Sequence, residues 1–321
     1  MIATARVFHG LSRPSPAAQT PAYCARPQPA GPPPPGVKTA AERLNFGTVR
    51  ISRVPLPAPS VEDLAVVTGA SHGIGEALAT ELAARGYNLI ITARREELLN
   101  ALAARLADKY GVTVDVWPAD LADSAQRSKL ADELATRKIA ILCANAGVAT
   151  VGPVAQLDPA GERALVQLNV VAVHDLVLAV LPGMIERRAG GILISGSAAG
   201  NSPIPNNAAY SSSKAFLNTF SEALRVELRS CGVHVTLLAP GPVSTGIADF
   251  VDSSTVAKLV PDYLWVSPEL TAKKSLDGLR RNKMRVIPGL PGKVMSLASQ
   301  YLPRAILTPI VGNAYKKMGG G

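Results

Sequence analysis

Five residues with a strong apolar bias, Leu64–Thr68, run into the turn Gly69-Ala70-Ser71-His72-Gly73-Ile74-Gly75 and then into a helical pattern from Glu76 to Arg85. A strand this apolar has no face to give to water, so it belongs inside a parallel sheet covered by helices on both sides. The glycines let backbone N–H groups approach a pyrophosphate at the helix N-terminus, where the aligned peptide dipoles favour an anion. Taken alone, such a turn could equally be an ordinary strand-to-helix connection.

The rest of the chain repeats the alternation. Apolar strands are expected at 88–93, 113–117, 139–143, 191–195 and 233–238, with amphipathic helices at about 124–136, 160–181 and 209–230. The expected fold class is therefore α/β, a doubly wound parallel sheet of Rossmann type, as a single domain over residues 61–285. Ligands of such sheets sit beyond the strand C-terminal ends. Asp120 and Leu121 follow the third strand and Asn145-Ala146-Gly147 the fourth, so these are candidate cofactor contacts; Asp120 could instead cap the helix that follows. At the end of the second strand, an acidic residue would hold the ribose 2′-hydroxyl of NAD. This chain has Ala93, Arg94 and Arg95 there. A guanidinium pairs with a 2′-phosphate and His72 adds charge beside the glycine turn, so the expected cofactor is NADPH, read by Arg94. Arg95 also fits a solvated arginine opening a helix with Glu96 and Glu97.

Tyr210 and Lys214 stand four residues apart in a helical stretch, with Ser197 thirteen residues upstream of the tyrosine. That spacing places phenol and ammonium on one helix face, where the cation favours the phenolate and makes Tyr210 a usable proton donor. It outlines a carbonyl-reduction site, although exposed helix faces also produce such pairs by chance.

The formal charge of +9 is confined to the ends: residues 1–60 carry net +6, residues 61–264 net −5 and residues 265–321 net +8. An acidic body with 4% aromatics excludes a nucleic-acid partner. Cys24, Cys143 and Cys231 are too few and scattered for a disulfide framework or a metal site, so no metal and a cytoplasmic location are expected. His174 and His234 are expected to be structural, and Cys143 to be core packing. The apolar stretch 170–185 is interrupted by His174, Asp175 and Pro182, which argues against a transmembrane span. The first sixty residues, with the run Pro32 to Pro35, are expected to be disordered. Arg6, Arg13 and Arg26 among Ser and Ala give them the composition of an organellar transit peptide; alternatively the true start lies downstream and the segment is not made.

With Thr68 to Gly75, Asp120, Asn145 to Gly147, Asn169, Ser197, Tyr210, Lys214 and Pro240-Gly241 with Thr245 in this order, residues 61 to about 250 resemble the classical short-chain dehydrogenase/reductases. The resemblance implies that Tyr210 gives its proton to a carbonyl oxygen that Ser197 hydrogen-bonds. Lys214 would support the tyrosine and hold the nicotinamide ribose, and Asn169 would anchor the water chain that reprotonates the site. Gly69, Ser71, His72, Gly73, Ile74 and Gly75 would belong to the cofactor site, and Pro240, Gly241, Val243 and Thr245 would hold the nicotinamide, Thr245 on its carboxamide. Many members have Ser-Ser where this chain reads Ser195-Gly196-Ser197; the spacing to Tyr210 favours Ser197 over Ser195.

In that family the segment corresponding to 246–266 covers the substrate, and Ile247, Phe250, Val251, Leu259, Leu264 and Trp265 imply an apolar guest. The basic, apolar extension 286–321, broken by Pro303 and Pro309, could lie against the inner face of the plasma membrane as a peripheral contact or close a homo-oligomer. The runs 144–147, 191–205 and 282–286 further resemble reductases of branched 3-oxoacyl lipids. That implies NADPH-dependent reduction of the 3-oxo group of a 2-alkyl-3-oxoacyl chain, a mycolate precursor. The residues alone point to an apolar carbonyl compound, for which a simple 3-oxoacyl thioester or a steroid would also serve.

Overall fold

The computed structural model of the protein describes residues 55–244 and 265–289, with positions 292, 293, 296, 305, 309 and 313 besides. The Pro-rich stretch before residue 55, Thr245, the apolar stretch 246–264 and most of the basic extension lie outside the described residues.

Strands β1 (Leu64–Thr68), β2 (Asn88–Ala93), β3 (Val114–Pro118), β4 (Ile139–Ala144), β5 (Gly190–Ser195), β6 (Val233–Leu238) and β7 (Arg285–Val286) form one parallel sheet in the order β3-β2-β1-β4-β5-β6-β7. The order reverses direction between β1 and β4, which opens a crevice beyond their C-terminal ends. Register keeps those ends level: Thr68 pairs with Thr92, Val67 with Cys143, Cys143 with Leu193 and Ser195 with Leu238. β1, β4, β5 and β6 are buried along their whole length, which is why they read as continuous apolar runs rather than as alternation.

Helices α1 (Gly73–Ala84), α2 (Glu96–Tyr110), α3 (Ser124–Thr136), α4 (Pro159–Val166), α5 (Ala172–Glu186), α6 (Ala208–Glu227) and α7 (Pro268–Arg280) alternate with the strands. Leu78 and Leu82 of α1, Leu99 and Leu106 of α2 and Leu276 and Leu279 of α7 close the core on one face of the sheet. Each such leucine contributes about 1.5–3 kcal/mol by leaving water. Local chemistry sets the helix limits. Asp123 accepts from Gln126 N at 2.8 Å to open α3, and Asp158 with Pro159 opens α4. Ser267 with Pro268 opens α7, while Gly111 ends α2 in the left-handed region at φ 67°.

One expectation needs correction. The helix expected over 160–181 is three pieces, α4, a π-helical turn at Gln167–Val171, and α5, which continues through Pro182 to Glu186. A proline inside a helix loses one hydrogen bond but need not end the helix when packing holds both sides. The joined stretch Pro159–Glu186 reaches the length and apolar composition of a membrane span, a test that the core helix of a folded domain also passes. Here it packs one face against α3 and the sheet. At the end of the described sheet, α7 leads into β7, where Val286 pairs with Leu238.

Candidate active site

The glycine turn is shaped by what it cannot hold. Gly69 and Gly73 take φ of 69° and 59°, a region favouring glycine. A Cβ on Gly75 would fall 2.0 Å from Gly69 O, and one on Gly69 would fall 2.9 Å from Ala146 Cα. The turn is anchored to β2 by Gly69 N donating to Thr92 O at 2.8 Å. His72 precedes α1 without a side-chain cap, so the first N–H groups of that helix face the crevice. A close, uncapped backbone cradle of this form fits the phosphates of a dinucleotide. Gly69, Ser71, His72, Gly73, Ile74 and Gly75 all lie on it.

Beside the turn, Arg95 Nη2 donates to His72 Nδ1 at 2.9 Å and to Ser71 Oγ at 3.3 Å. A guanidinium has no acceptor, so Nδ1 accepts and the ring proton sits on Nε2. It is thus Arg95, read from sequence as a solvated helix-opening arginine, that the structure brings onto the turn. Arg94 is exposed at the end of β2 and makes no side-chain hydrogen bond or ion pair among the described residues.

Thr68 joins the strand ends. Its Oγ1 accepts from the N–H groups of Asn145 and Ala146, each at 2.9 Å, while Asn145 Nδ2 donates to Thr68 O and Ser195 Oγ donates to Asn145 Oδ1 at 3.1 Å. Asp120 does not cap α3, since Asp123 does; Asp120 Oδ1 accepts from Ala122 N in a local turn. The 120–122 loop is held from beneath by buried Arg127, which donates to Leu121 O at 2.9 Å and to Asp175 at 2.7 Å. Arg127 was not anticipated, because a mid-helix arginine in sequence gives no sign of being buried.

Tyr210 and Lys214 lie in the first two turns of α6, with the ammonium 5.7 Å from the centre of the phenol ring. Lys214 Nζ donates to Ser195 O at 2.8 Å. Burial lowers the Lys214 pKa to about 8. Burial raises that of Tyr210, opposed by a hydrogen bond from Ser197. Desolvation is the larger effect on Tyr210, and the Ser197 hydroxyl opposes it. Ser197 also accepts from Ala199 N at 3.0 Å, whereas Ser195 turns to Asn145, so it is Ser197 that reaches the phenol.

Asn169 sits on the π-helical turn and is fully buried. Its Oδ1 accepts from Val148 N and its Nδ2 donates to Val148 O, both at 2.9 Å; Nδ2 also reaches Ser213 Oγ at 3.1 Å, and that hydroxyl donates to Tyr210 O. The amide thus joins the strand β4 loop to the helix bearing Tyr210. A Cβ on Gly147 would lie 3.1 Å from Asn169 Oδ1 and 3.3 Å from Lys214 Nζ, so the absence of a side chain there lets both polar groups approach the crevice.

The Ser197 loop has a clamp that sequence reading missed. Buried Asn218 donates to Ser197 O at 3.1 Å, accepts from Ser197 N at 3.4 Å and donates to Asn201 Oδ1 at 3.2 Å. The available signal was its place one turn beyond Lys214 on the inward face of α6. On the other side, Ala198 N donates to Pro240 O at 3.0 Å, bringing Pro240 and Gly241 to the same loop, and Val243 bridges to Val266. Of the other polar candidates, His234 is buried with Nδ1 on Leu279 O, Cys143 is buried with its pKa raised to about 12, and His174 packs on Phe220. Among the described residues no cluster could hold a metal.

Residues 63–255 match the family model described as short chain dehydrogenase. The chain belongs to the short-chain dehydrogenase family. A human relative named inactive hydroxysteroid dehydrogenase-like protein 1 is 35% identical over 242 residues, covering 74% of this chain and 72% of its own. The human very-long-chain 3-oxoacyl-CoA reductase is 32% identical over 263 residues, covering 80% and 81%. Among solved structures, a short-chain dehydrogenase from Sphingobium yanoikuyae in complex with NADPH is 31% identical with a TM-score of 0.65, covering 76% of this chain and 97% of that one. Within this family the crevice around Tyr210 is the candidate active site.

Proposed function

We propose that this short-chain dehydrogenase is an NADPH-dependent reductase of an apolar ketone, and that the ketone is the 3-oxo group of a 2-alkyl-3-oxoacyl lipid, as in a mycolate reductase. The reductase reading rests on one arrangement above all: the Ser197 hydroxyl, which lowers the Tyr210 pKa against burial, and the Lys214 ammonium 5.7 Å from the centre of the same ring. Ser197 and Tyr210 would bind the carbonyl oxygen, and Tyr210 would deliver its proton there as charge develops on it. Bound NADPH supplies the hydride. Lys214 would carry a mobile proton near neutrality, since its pKa of about 8 lies close to working pH, and would hold the nicotinamide ribose. Asn169 would fix the Val148 loop and begin the route by which the site regains its proton.

NADPH fits the basic group around the turn, with Arg95, His72 and Ser71 in contact and Arg94 adjacent, and it is the cofactor of the Sphingobium yanoikuyae structure. The lipid reading is supported by the apolar stretch after residue 245, by the runs resembling mycolate reductase and by the very-long-chain 3-oxoacyl-CoA reductase relative. That relative also supports a second reading, a simple 3-oxoacyl thioester as substrate. Deleting the gene in its native host tests the first: keto-mycolate esters should accumulate, and their absence would remove the mycolate assignment. A higher kcat/KM for an unbranched 3-oxoacyl thioester than for a branched 3-oxo ester would select the second.

A further inference from the structure

At the end of the sheet opposite Tyr210, a cavity of about 880 Å³ lies between the chain entering β1, helices α1 and α7, and the turn that follows α7. Its size is that of a small-molecule site. Leu56 and Pro57 give it an apolar lining over the buried Leu82, Ile141 and Leu276, and Tyr87 Oη donates to Pro57 O at 2.6 Å to hold the entering chain as a roof. The mouth is cationic: Arg280, Arg281 and Lys283 are exposed and have no acidic partner among the described residues. Other arginines nearby are neutralised, Arg85 by Glu81 and Asp277 at 2.7 and 3.0 Å, and Arg285 by Glu222 at 2.8 Å.

The turn carrying those cations is built rather than loose. Asn282 takes φ 51°, with Asn282 N on Leu279 O and Lys283 N on Gly278 O, each at 2.9 Å. Arg225, itself a lining residue, donates to Asn282 Oδ1 and to Asn282 O at 2.6 Å. Burial chiefly, and the neighbouring Arg229 after it, lower the Arg225 pKa. A helix C-terminus welcomes one or two cations for its dipole. That does not account for a third cation, for the arginine beneath them, or for an apolar cavity behind all four.

We infer that this cavity binds an amphipathic anion, its alkyl chain against Leu56 and the proline roof and its carboxylate or phosphate at Arg280, Arg281 and Lys283. The inference is independent of the reaction proposed above. It is tested by calorimetric titration of the full chain with dodecanoate, dodecyl phosphate and dodecanol. The two anions should bind at least tenfold more tightly than the alcohol, and affinity should rise about fourfold per added methylene. R280Q/R281Q/K283Q should weaken the anions at least tenfold without changing ketone reduction. Ala58→Trp, which fills the cavity from its exposed roof, should block all three ligands. Phosphatidylglycerol vesicles identify the source. Co-sedimentation that the triple variant loses assigns a bilayer headgroup, whereas dodecanoate binding without co-sedimentation assigns a free amphiphile; both support the site. No anion binding by the wild-type chain, or anion binding unchanged in both the triple variant and Ala58→Trp, overturns it.

Discussion

Replacing Asn218 by Leu should cripple catalysis through Ser197. Asn218 is 4% exposed and holds both the N–H and the C=O of Ser197, with a third bond to Asn201. Leucine of similar volume leaves the Ser197 N–H without a partner, while Ser197 O keeps the Gly200 N–H at 3.1 Å. An unsatisfied buried group costs about 1–3 kcal/mol, and the 3.4 Å contact belongs at the weak end, so a loss of roughly 1–2 kcal/mol in urea unfolding is expected. The same release lets the Ser197 hydroxyl drift from Tyr210. A displaced donor of this kind lowers kcat by about 10–100-fold. Because the effect runs through Ser197, the double variant Ser197→Ala/Asn218→Leu should have a kcat within about threefold of Ser197→Ala alone. Losses that multiply, each variant contributing its full factor in the double, would show that Asn218 acts independently of Ser197 and refute the clamp.

Tyr210→Phe should retain NADPH binding by fluorescence titration while turnover falls by at least a thousandfold; unchanged turnover would remove Tyr210 as the proton donor. Arg94→Ala and Arg95→Ala should each weaken NADPH more than NADH in fluorescence titration, and equal losses for both cofactors would show that neither arginine reads the 2′-phosphate. Gly75→Ala should abolish cofactor binding, because the new methyl would meet Gly69 O at 2.0 Å. The Lys214 pKa is lowered from 10.5 to about 8 in the folded chain, so the unfolded chain binds more protons between those values and stability should rise with pH across that window, by up to about 3 kcal/mol. Tyr210, shifted upward, opposes this above pH 10. The difference in unfolding free energy between wild type and Lys214→Met isolates the lysine; a flat difference from pH 8 to 10.5 would contradict its burial as a cation.

The legible parts of this chain are those governed by local periodicity. Leu64–Thr68 and Asn88–Ala93 are found as read, since a strand buried on both faces shows as an unbroken apolar run. Four-residue spacing placed Tyr210 and Lys214 on one face for the same kind of reason. What could not be read depends on partners distant in sequence. Burial of Arg127 is set by Asp175 and Gln167, forty or more residues away, and the clamp of Asn218 on Ser197 spans twenty-one. Arg94 and Arg95 are adjacent and chemically identical; only the direction in which β2 leaves the sheet decides which one meets Ser71 and His72. The burial of Tyr210 was likewise not legible, because spacing carries no information about depth.

The π-helical turn under Asn169 makes this part of the chain intolerant of changes in length. One residue of an α-helix is about 100° of rotation. Deleting any residue between Gln167 and Val171 would straighten the turn and swing α4 by that angle against α5, carrying Asn169 off Val148 whatever residue was lost. Point substitutions on the exposed side of the turn should be absorbed. Natural and engineered variants of this segment should therefore differ in spelling but not in letter count.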